Sequence, residues 1–412
     1  MATTHIIGML LGTEEDWPSA FEALMRRVDP IHVGGERHEL VTDRITIEPF
    51  DLRAVPRYAL VIDRLSHWYY APREWLKKVA LMNDVYLLNN PFTFQAMEKH
   101  AAYCAMIRLG LNVPATWLLP HKKPPANERF PYTAARYNRP FDPEEVAARI
   151  GYPMFMKPYD GGAWVGVSRV ADAGELHHNY DESGQRLMHL QGAVEGYDEF
   201  VRSLSVGAET MVMSYDPGRP LHDRYRIRHG FLSAEQGWEA VSIARLVNAF
   251  FGWEFNSCEA LVKGATTHPI DYANACPDMA LISLHYYFPW AITALAKWSI
   301  FCTVTGRRME VDSHTRPYFD LGDREDLSYR EKLDGYRRLA DAHFDVERYQ
   351  DFCAEHLADL DARMLEYVDG PEFDELLVAT IRSAFPAHEH DQFVAHYRGL
   401  LGAWANDQRA SG

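Results

Sequence analysis

Residues 152–167 read Tyr-Pro-Met-Phe-Met-Lys-Pro-Tyr-Asp-Gly-Gly-Ala-Trp-Val-Gly-Val, so a lysine ends an apolar strand and a glycine-rich loop follows at once. Lys157 supplies a fixed positive charge. Gly161, Gly162 and Gly166 let backbone N–H groups approach anionic oxygens with no side chain between, an arrangement that suits polyphosphate. Taken alone, the segment reads equally well as a β-hairpin with a surface lysine. Further along, residues 258–278 carry Glu259, Asp271 and Asn274 and read as two strands joined at Lys263-Gly264. Three oxygen-bearing side chains placed this way suffice for magnesium, a hard ion that takes one or two carboxylates and completes its octahedron with water and phosphate. Manganese is an alternative with the same donors. Asp271 lies three residues before Asn274, a spacing that puts the two on opposite faces of a regular strand. A bulge, or a strand ending by Asn274, brings them back together.

These groups need elements to hold them. Residues 1–95 alternate strand and helix patterns: strands at 5–11, near 43–48, at 58–63 and at 84–88, with helices near 16–28 and at 72–82. Residues 121–143, with Lys122-Lys123-Pro124-Pro125, read as a loop or boundary. Asp142 as N-cap, Pro143 at the first helical position and the acids behind it predict a helix over 142–150, feeding the lysine strand. From about residue 325 onward, apolar residues recur at every third or fourth position and the chain turns helical.

The composition, 47% hydrophobic and 24% charged over 412 residues, is that of a globular α/β protein large enough for two or three domains. A formal net charge of −16 argues against a duplex nucleic-acid partner, which relies on excess lysine and arginine. The five cysteines are scattered, with no Cys-x-x-Cys pair, as expected for reduced thiols in the cytoplasm. No basic leader precedes the first apolar run, so no secretory signal is expected. The apolar tract from Met279 to Val304 is broken by His285, Pro289 and Lys297 and reads as a buried helix, with no membrane partner. His177-His178 and His388-Glu389-His390 read as surface histidines, since nothing completes a ligand set at a recognisable spacing. A homodimer is left open.

In order along the chain, these segments resemble the ATP-grasp superfamily over roughly residues 85–280. Asn90-Pro91 followed by Glu98-Lys99 looks like its entry helix. Leu109-Gly110-Leu-Asn-Val-Pro114-Ala-Thr116 resembles its strand lead-in, and Gly151 to Pro158 its second lysine strand. Gln191, Gly192, Ala193 and Val194 resemble its adenine hinge, although the glutamate often found there is Gly192 here. Asn274-Ala-Cys-Pro277-Asp278 resembles the metal strand of a less studied branch. The resemblance implies an α/β (α+β) ATP-grasp fold: a Rossmann-like pre-ATP-grasp domain over 1–95, an ATP-grasp domain over 96–320 with the cleft between two β-layers, and a helical extension over 321–412. It implies ATP as cofactor, with phosphates on Lys99 and Lys157 beneath the Gly161–Gly162 loop. Glu199, or alternatively Asp198, would hold the ribose, and one or two magnesium ions would sit on Glu259, Asp271 and Asn274.

The chemistry implied is activation of a carboxylic acid as an acyl phosphate, followed by attack of an amine to give an amide, ADP and phosphate. The partners are then small-molecule or peptide acids and amines. Arg202 is the expected reader of the acid, because a guanidinium grips a carboxylate with two parallel hydrogen bonds. Arg224 and Arg226 are the weaker candidates. A small-molecule phosphotransferase and a non-catalytic nucleotide-binding regulator are the competing readings.

Overall fold

The computed structural model describes residues 2–93, 99–124, 126–162 and 164–411. Glu98, expected in the entry helix, lies outside them, as does Ala163 of the glycine loop.

The first sheet comprises β1 (Ala2–Leu10), β2 (Ile31–Val33), β3 (Glu36–Arg44), β4 (Leu60–Asp63) and β5 (Tyr86–Leu88), in the order β2-β3-β1-β4-β5. All neighbours are parallel except the β2–β3 hairpin. The strand expected near 43–48 is displaced. β3 follows β1 in register from Ala2↔Arg37 to Met9↔Arg44, and residues 45–50 leave the sheet once that partner ends. Alternation at Ile45 and Ile47 mimicked a strand, but a parallel neighbour, not local pattern, decides where this one lies.

A second, antiparallel sheet contains β6 (Thr116–Leu119), β7 (Met154–Pro158), β8 (Ser168–Val170) and β9 (Met188–Gly192), in the order β6-β9-β7-β8. Helices Pro143–Ile150 and Ala173–Glu182 cover it, and with Met154, Met156 and Leu190 they form a small core of their own. The first of these helices starts as the sequence predicts, with Asp142 accepting the Glu144 N–H at 2.9 Å. The region 121–143 is not wholly irregular: residues Phe130–Tyr137 form a helix with no buried side chain.

The third sheet holds β10 (Glu199–Val206), β11 (Glu209–Tyr215), β12 (Tyr225–Arg226), β13 (Phe255–Lys263) and β14 (Thr266–Asn274), antiparallel in the order β12-β11-β10-β13-β14. It shares one large core with the first sheet, helix Phe288–Val304 and the C-terminal helices, which contribute Leu333, Tyr336, Phe344, Met364 and Tyr397. Lys297, midway along that buried helix, keeps its charge by pairing with Asp361 at 2.8 Å. Among the described residues no helix is long and apolar enough to cross a membrane.

Candidate active site

A cleft of about 500 Å³ opens where β7 and β9 of the second sheet face β10, β13 and β14 of the third. Its floor follows from strand register. Glu259 on β13 lies directly opposite Arg202 on β10 and opposite Asp271 on β14. Neighbouring strands are about 4.8 Å apart, so the three side chains form one row across the sheet.

Asn274 joins that row because β14 bulges. The pairs Ser257↔Asn274 and Glu259↔Asp271 set three residues of β14 against two of β13. The side chain of Asn256 fills the irregularity, accepting the Asn274 N–H at 2.9 Å and donating to the Tyr272 carbonyl at 3.0 Å. Asn274 Nδ2 consequently comes to 3.5 Å from Asp271 Oδ1, with both residues lining the cleft. Asn89, just past β5, clamps the same region from the first sheet: its Nδ2 donates to the Phe255 and Ala275 carbonyls at 2.8 and 2.9 Å.

Two lysines meet the row, one from a helix packed on the third sheet and one from the second sheet. Lys99, at the start of helix Lys99–Arg108, donates to Asp271 Oδ2 at 2.6 Å. Lys157 on β7 donates to Gln191 Oε1 on β9 at 2.8 Å and to the Ile270 carbonyl at 3.3 Å. Gln191 is itself held by donating to Thr116 Oγ1 at 2.9 Å. Both ammonium-bearing residues are buried, at 4% and 7% exposure.

Burial sets the electrostatics. It pushes the Lys157 ammonium down to about 8, with Lys99 adding to the fall and Asp271 opposing it. Burial also drives the Glu259 carboxyl upward against the pull of Arg202, and Asp271 reinforces the rise. For Asp271 burial acts in the same sense, but Lys99 and Lys157 outweigh it and hold the carboxyl below its ordinary value. Arg202 is only loosely engaged, at 3.6 Å from Glu259, 3.5 Å from Tyr215 Oη and 3.4 Å from Ser257 Oγ. Its Nε is buried with no partner among the described residues. A buried guanidinium with such long contacts is primed for a better acceptor.

The glycine loop lines the cleft through Gly161 and Gly162. Gly161 has φ +84° and open space where a Cβ would point, so conformation alone requires glycine there. Gly192, Ala193 and Val194 also line the cleft.

Glu199 does not. β10 is regular between Glu199↔Val262 and Arg202↔Glu259, so residues three apart face opposite sides of the sheet. Arg202 takes the cleft side, and the Glu199 carboxylate receives two bonds from Arg228, at 2.6 and 2.9 Å. Asp198 is likewise not among the residues lining the cleft and accepts the Gly264 N–H at 2.7 Å. Neither residue expected to hold the ribose is therefore among those lining the cleft.

Sequence reasoning missed Arg64, His67 and Trp68, which reach the cleft from the segment after β4. A signal existed, because ligands of open parallel sheets gather beyond the carboxyl ends of the strands. Arg64 is engaged by Glu14 at 2.5 Å and stands over the Trp17 and Phe255 rings at 5.8 and 5.6 Å. Away from the cleft, ligand atoms of exposed Asp142, Glu144 and His177 lie within 4.8 Å of one another. Asp142 is already spent as a helix cap.

No protein-family profile matches the chain, and no curated protein does either. Among solved structures it is similar to a RimK domain ATP-grasp protein from Sphaerobacter thermophilus, with 16% identity, TM-score 0.47 and coverage of 71% of this chain and 98% of that one. It is similar also to the ATP complex of D-alanine–D-alanine ligase from Bacillus anthracis, with 12% identity, TM-score 0.47 and coverage of 83% and 99%. A third is VanG D-Ala:D-Ser ligase from Enterococcus faecalis, with 13% identity, TM-score 0.45 and coverage of 82% and 100%. At these identities the likenesses assign no residue and no activity.

Proposed function

We propose that the chain is an ATP-grasp ligase that activates a carboxylic acid with ATP and joins it to an amine. The observation that carries this reading is the Asp271–Glu259–Arg202 row meeting Lys99 and Lys157 in one cleft. Cations for a triphosphate, hard oxygen donors and a loosely held guanidinium occur together there. Phosphoryl transfer to an acid asks for such a set, because its main demand is positioning and the neutralisation of spread charge.

The donor set fits magnesium on a physical ground. Burial raises the Glu259 carboxyl, and a divalent cation beside it would reverse that cost. Glu259, Asp271 and Asn274 would hold one or two such ions, which when bound offset charge on the phosphate oxygens. Lys157 and Lys99 hold the phosphates, Lys99 exchanging its contact with Asp271 for one to the nucleotide. Gln191 fixes the Lys157 ammonium, and the Gly192–Val194 backbone faces the adenine. Arg202 orients the acid. A carboxylate oxygen then forms a bond to the γ-phosphorus as the bond from that phosphorus to the β–γ bridging oxygen breaks, and ADP leaves. The amine attacks the acyl carbon, phosphate departs and the amine gives up a proton. Closure of the glycine loop keeps water from the acyl phosphate. The five cysteines are free, which suits a reducing, cytoplasmic setting.

Incubation with ATP, magnesium, a panel of acids and hydroxylamine tests the reading. Hydroxamate and ADP in equal amounts are expected. Steady phosphorylation of an alcohol with no hydroxamate would make the protein a phosphotransferase, and ATP binding without turnover would make it a regulator.

A further inference from the structure

Five cations line the cleft among the described residues: Arg64, Lys99, Lys157, Arg202 and Arg224. Four of them are accounted for. Arg64 is paired with Glu14, Lys99 with Asp271 and Arg202 with Glu259, while Lys157 sits on Gln191 at the proposed phosphate end. Arg224 is left over. Its Nε donates to the Arg219 carbonyl at 3.0 Å, and it has no carboxylate partner among the described residues. Its neighbours differ: Arg226 is neutralised by Asp223 at 2.9 Å, and Arg228 by Glu199 on the far face of the sheet.

Position gives the spare charge a meaning. Sheet order runs β12-β11-β10-β13-β14, and Lys157 reaches the β14 edge through the Ile270 carbonyl. Arg224 immediately precedes β12, at the opposite edge. From nucleotide to far end the sheet therefore offers Asp271, Glu259, Arg202, the Tyr215 ring of β11 and finally Arg224. Two strand spacings separate β10 from β12, about 10 Å at the backbone. Leu221 and Pro217 line the cleft along with Arg224, so the lining contributed by the segment before β12 is partly apolar.

We propose that Arg224 holds a second, non-reacting carboxylate of a substrate, beyond the acyl group that Arg202 presents. The inference rests on the ligase reading above. The carboxylate belongs either to the acid, which is then a dicarboxylate, or to the amine, which is then an amino acid or peptide.

Steady-state kinetics with two arms separate these sources. In the acid arm, linear dicarboxylates are compared with monocarboxylates of matching length, hydroxylamine serving as nucleophile. In the amine arm, one acid that yields hydroxamate is fixed, and amino acids are compared with their carboxamides. In one arm the free-carboxylate member should show a KM about tenfold or more below its uncharged match, as befits a charge-assisted bidentate contact. Arg224→Ala should erase that ratio while kcat stays within about twofold, and Arg224→Lys should restore part of it. Should Arg224→Ala fail to accumulate as folded protein, Arg224→Gln reads the same ratio with a polar, uncharged side chain in place. A ratio near one in the wild type in both arms, or a ratio that the variants leave unchanged, overturns the role of Arg224 alone. Absence of hydroxamate from every acid, with ATP still bound, overturns the ligase reading and this inference with it.

Discussion

The two layers that face each other across the cleft are built to different standards. The second sheet, carrying Lys157 and Gln191, packs a core of nine buried residues with its own two helices. The third sheet, carrying Arg202, Glu259 and Asp271, is continuous with the core that also takes in the first sheet and the C-terminal helices. Buried apolar area scales with the size of such a cluster, so the second layer opens at lower free energy than the third. The difference suggests a division of labour. The proposed acidic row and Lys99, whose helix packs Ala102, Tyr103 and Met106 into the large core, share the larger support, and Lys157 alone comes from the smaller one.

Core truncations probe this contrast most strongly. Met156→Ala and Leu295→Ala each delete a fully buried side chain, at a cost of ~2–5 kcal/mol. Hydrogen exchange should show the Met156→Ala effect confined to residues 116–192, whereas Leu295→Ala should lower protection across the first and third sheets together. Equal loss of protection everywhere in both variants would merge the two layers into one cooperative unit.

Next in size is Glu259→Gln, which leaves the shape but removes a charge and leaves Arg202 unpaired. Turnover should fall by at least about a hundredfold, close to 3 kcal/mol at the barrier. ATP affinity should change far less, and ADP release beside equilibrium nucleotide binding measures both. Lys157→Ala should do the reverse, weakening ATP binding about tenfold, the scale of one charge-assisted contact.

The smallest expected effect is a pH dependence of that same contact. With its ammonium pushed down to about 8 by burial, Lys157 is charged below that pH and neutral above it. ATP affinity should therefore decline a few-fold as pH rises through about 8. Lys157→Arg, whose guanidinium stays charged, should flatten the decline. An unchanged slope in Lys157→Arg would assign the titration to another group.

Much of this site was legible in residue types. The lysine strand, the glycine loop, the hinge residues and the acidic hairpin all line one cleft, and the odd Asp271–Asn274 spacing called for a bulge or a strand ending by Asn274, both of which β14 has. Parity sets a limit on that legibility: Glu199 and Arg202, three apart on an unbulged strand, do not both face the cleft. Other features were out of reach. Asn256 filling the bulge and Asn89 clamping β13 to β14 depend on partners 16 to 186 residues away, which no local pattern encodes. Arg224 and Arg226 look alike in sequence, and only the positions of Asp223 and Arg219 separate a neutralised arginine from a spare one. The C-terminal helices were readable as helices, but not as core partners of the first and third sheets, since an amphipathic stripe does not name what it packs against.

The central claim is that Lys157 on the small layer grips a single triphosphate together with Lys99 and the acidic row on the large one. A crystal structure with a non-hydrolysable ATP analogue and magnesium tests it most directly. The account predicts the terminal phosphate in hydrogen-bond contact with the Lys157 ammonium and a magnesium ion on Glu259 and Asp271, at the roughly 2.0–2.1 Å usual for that metal. Nucleotide bound elsewhere, or a metal that leaves both carboxylates untouched, would contradict it.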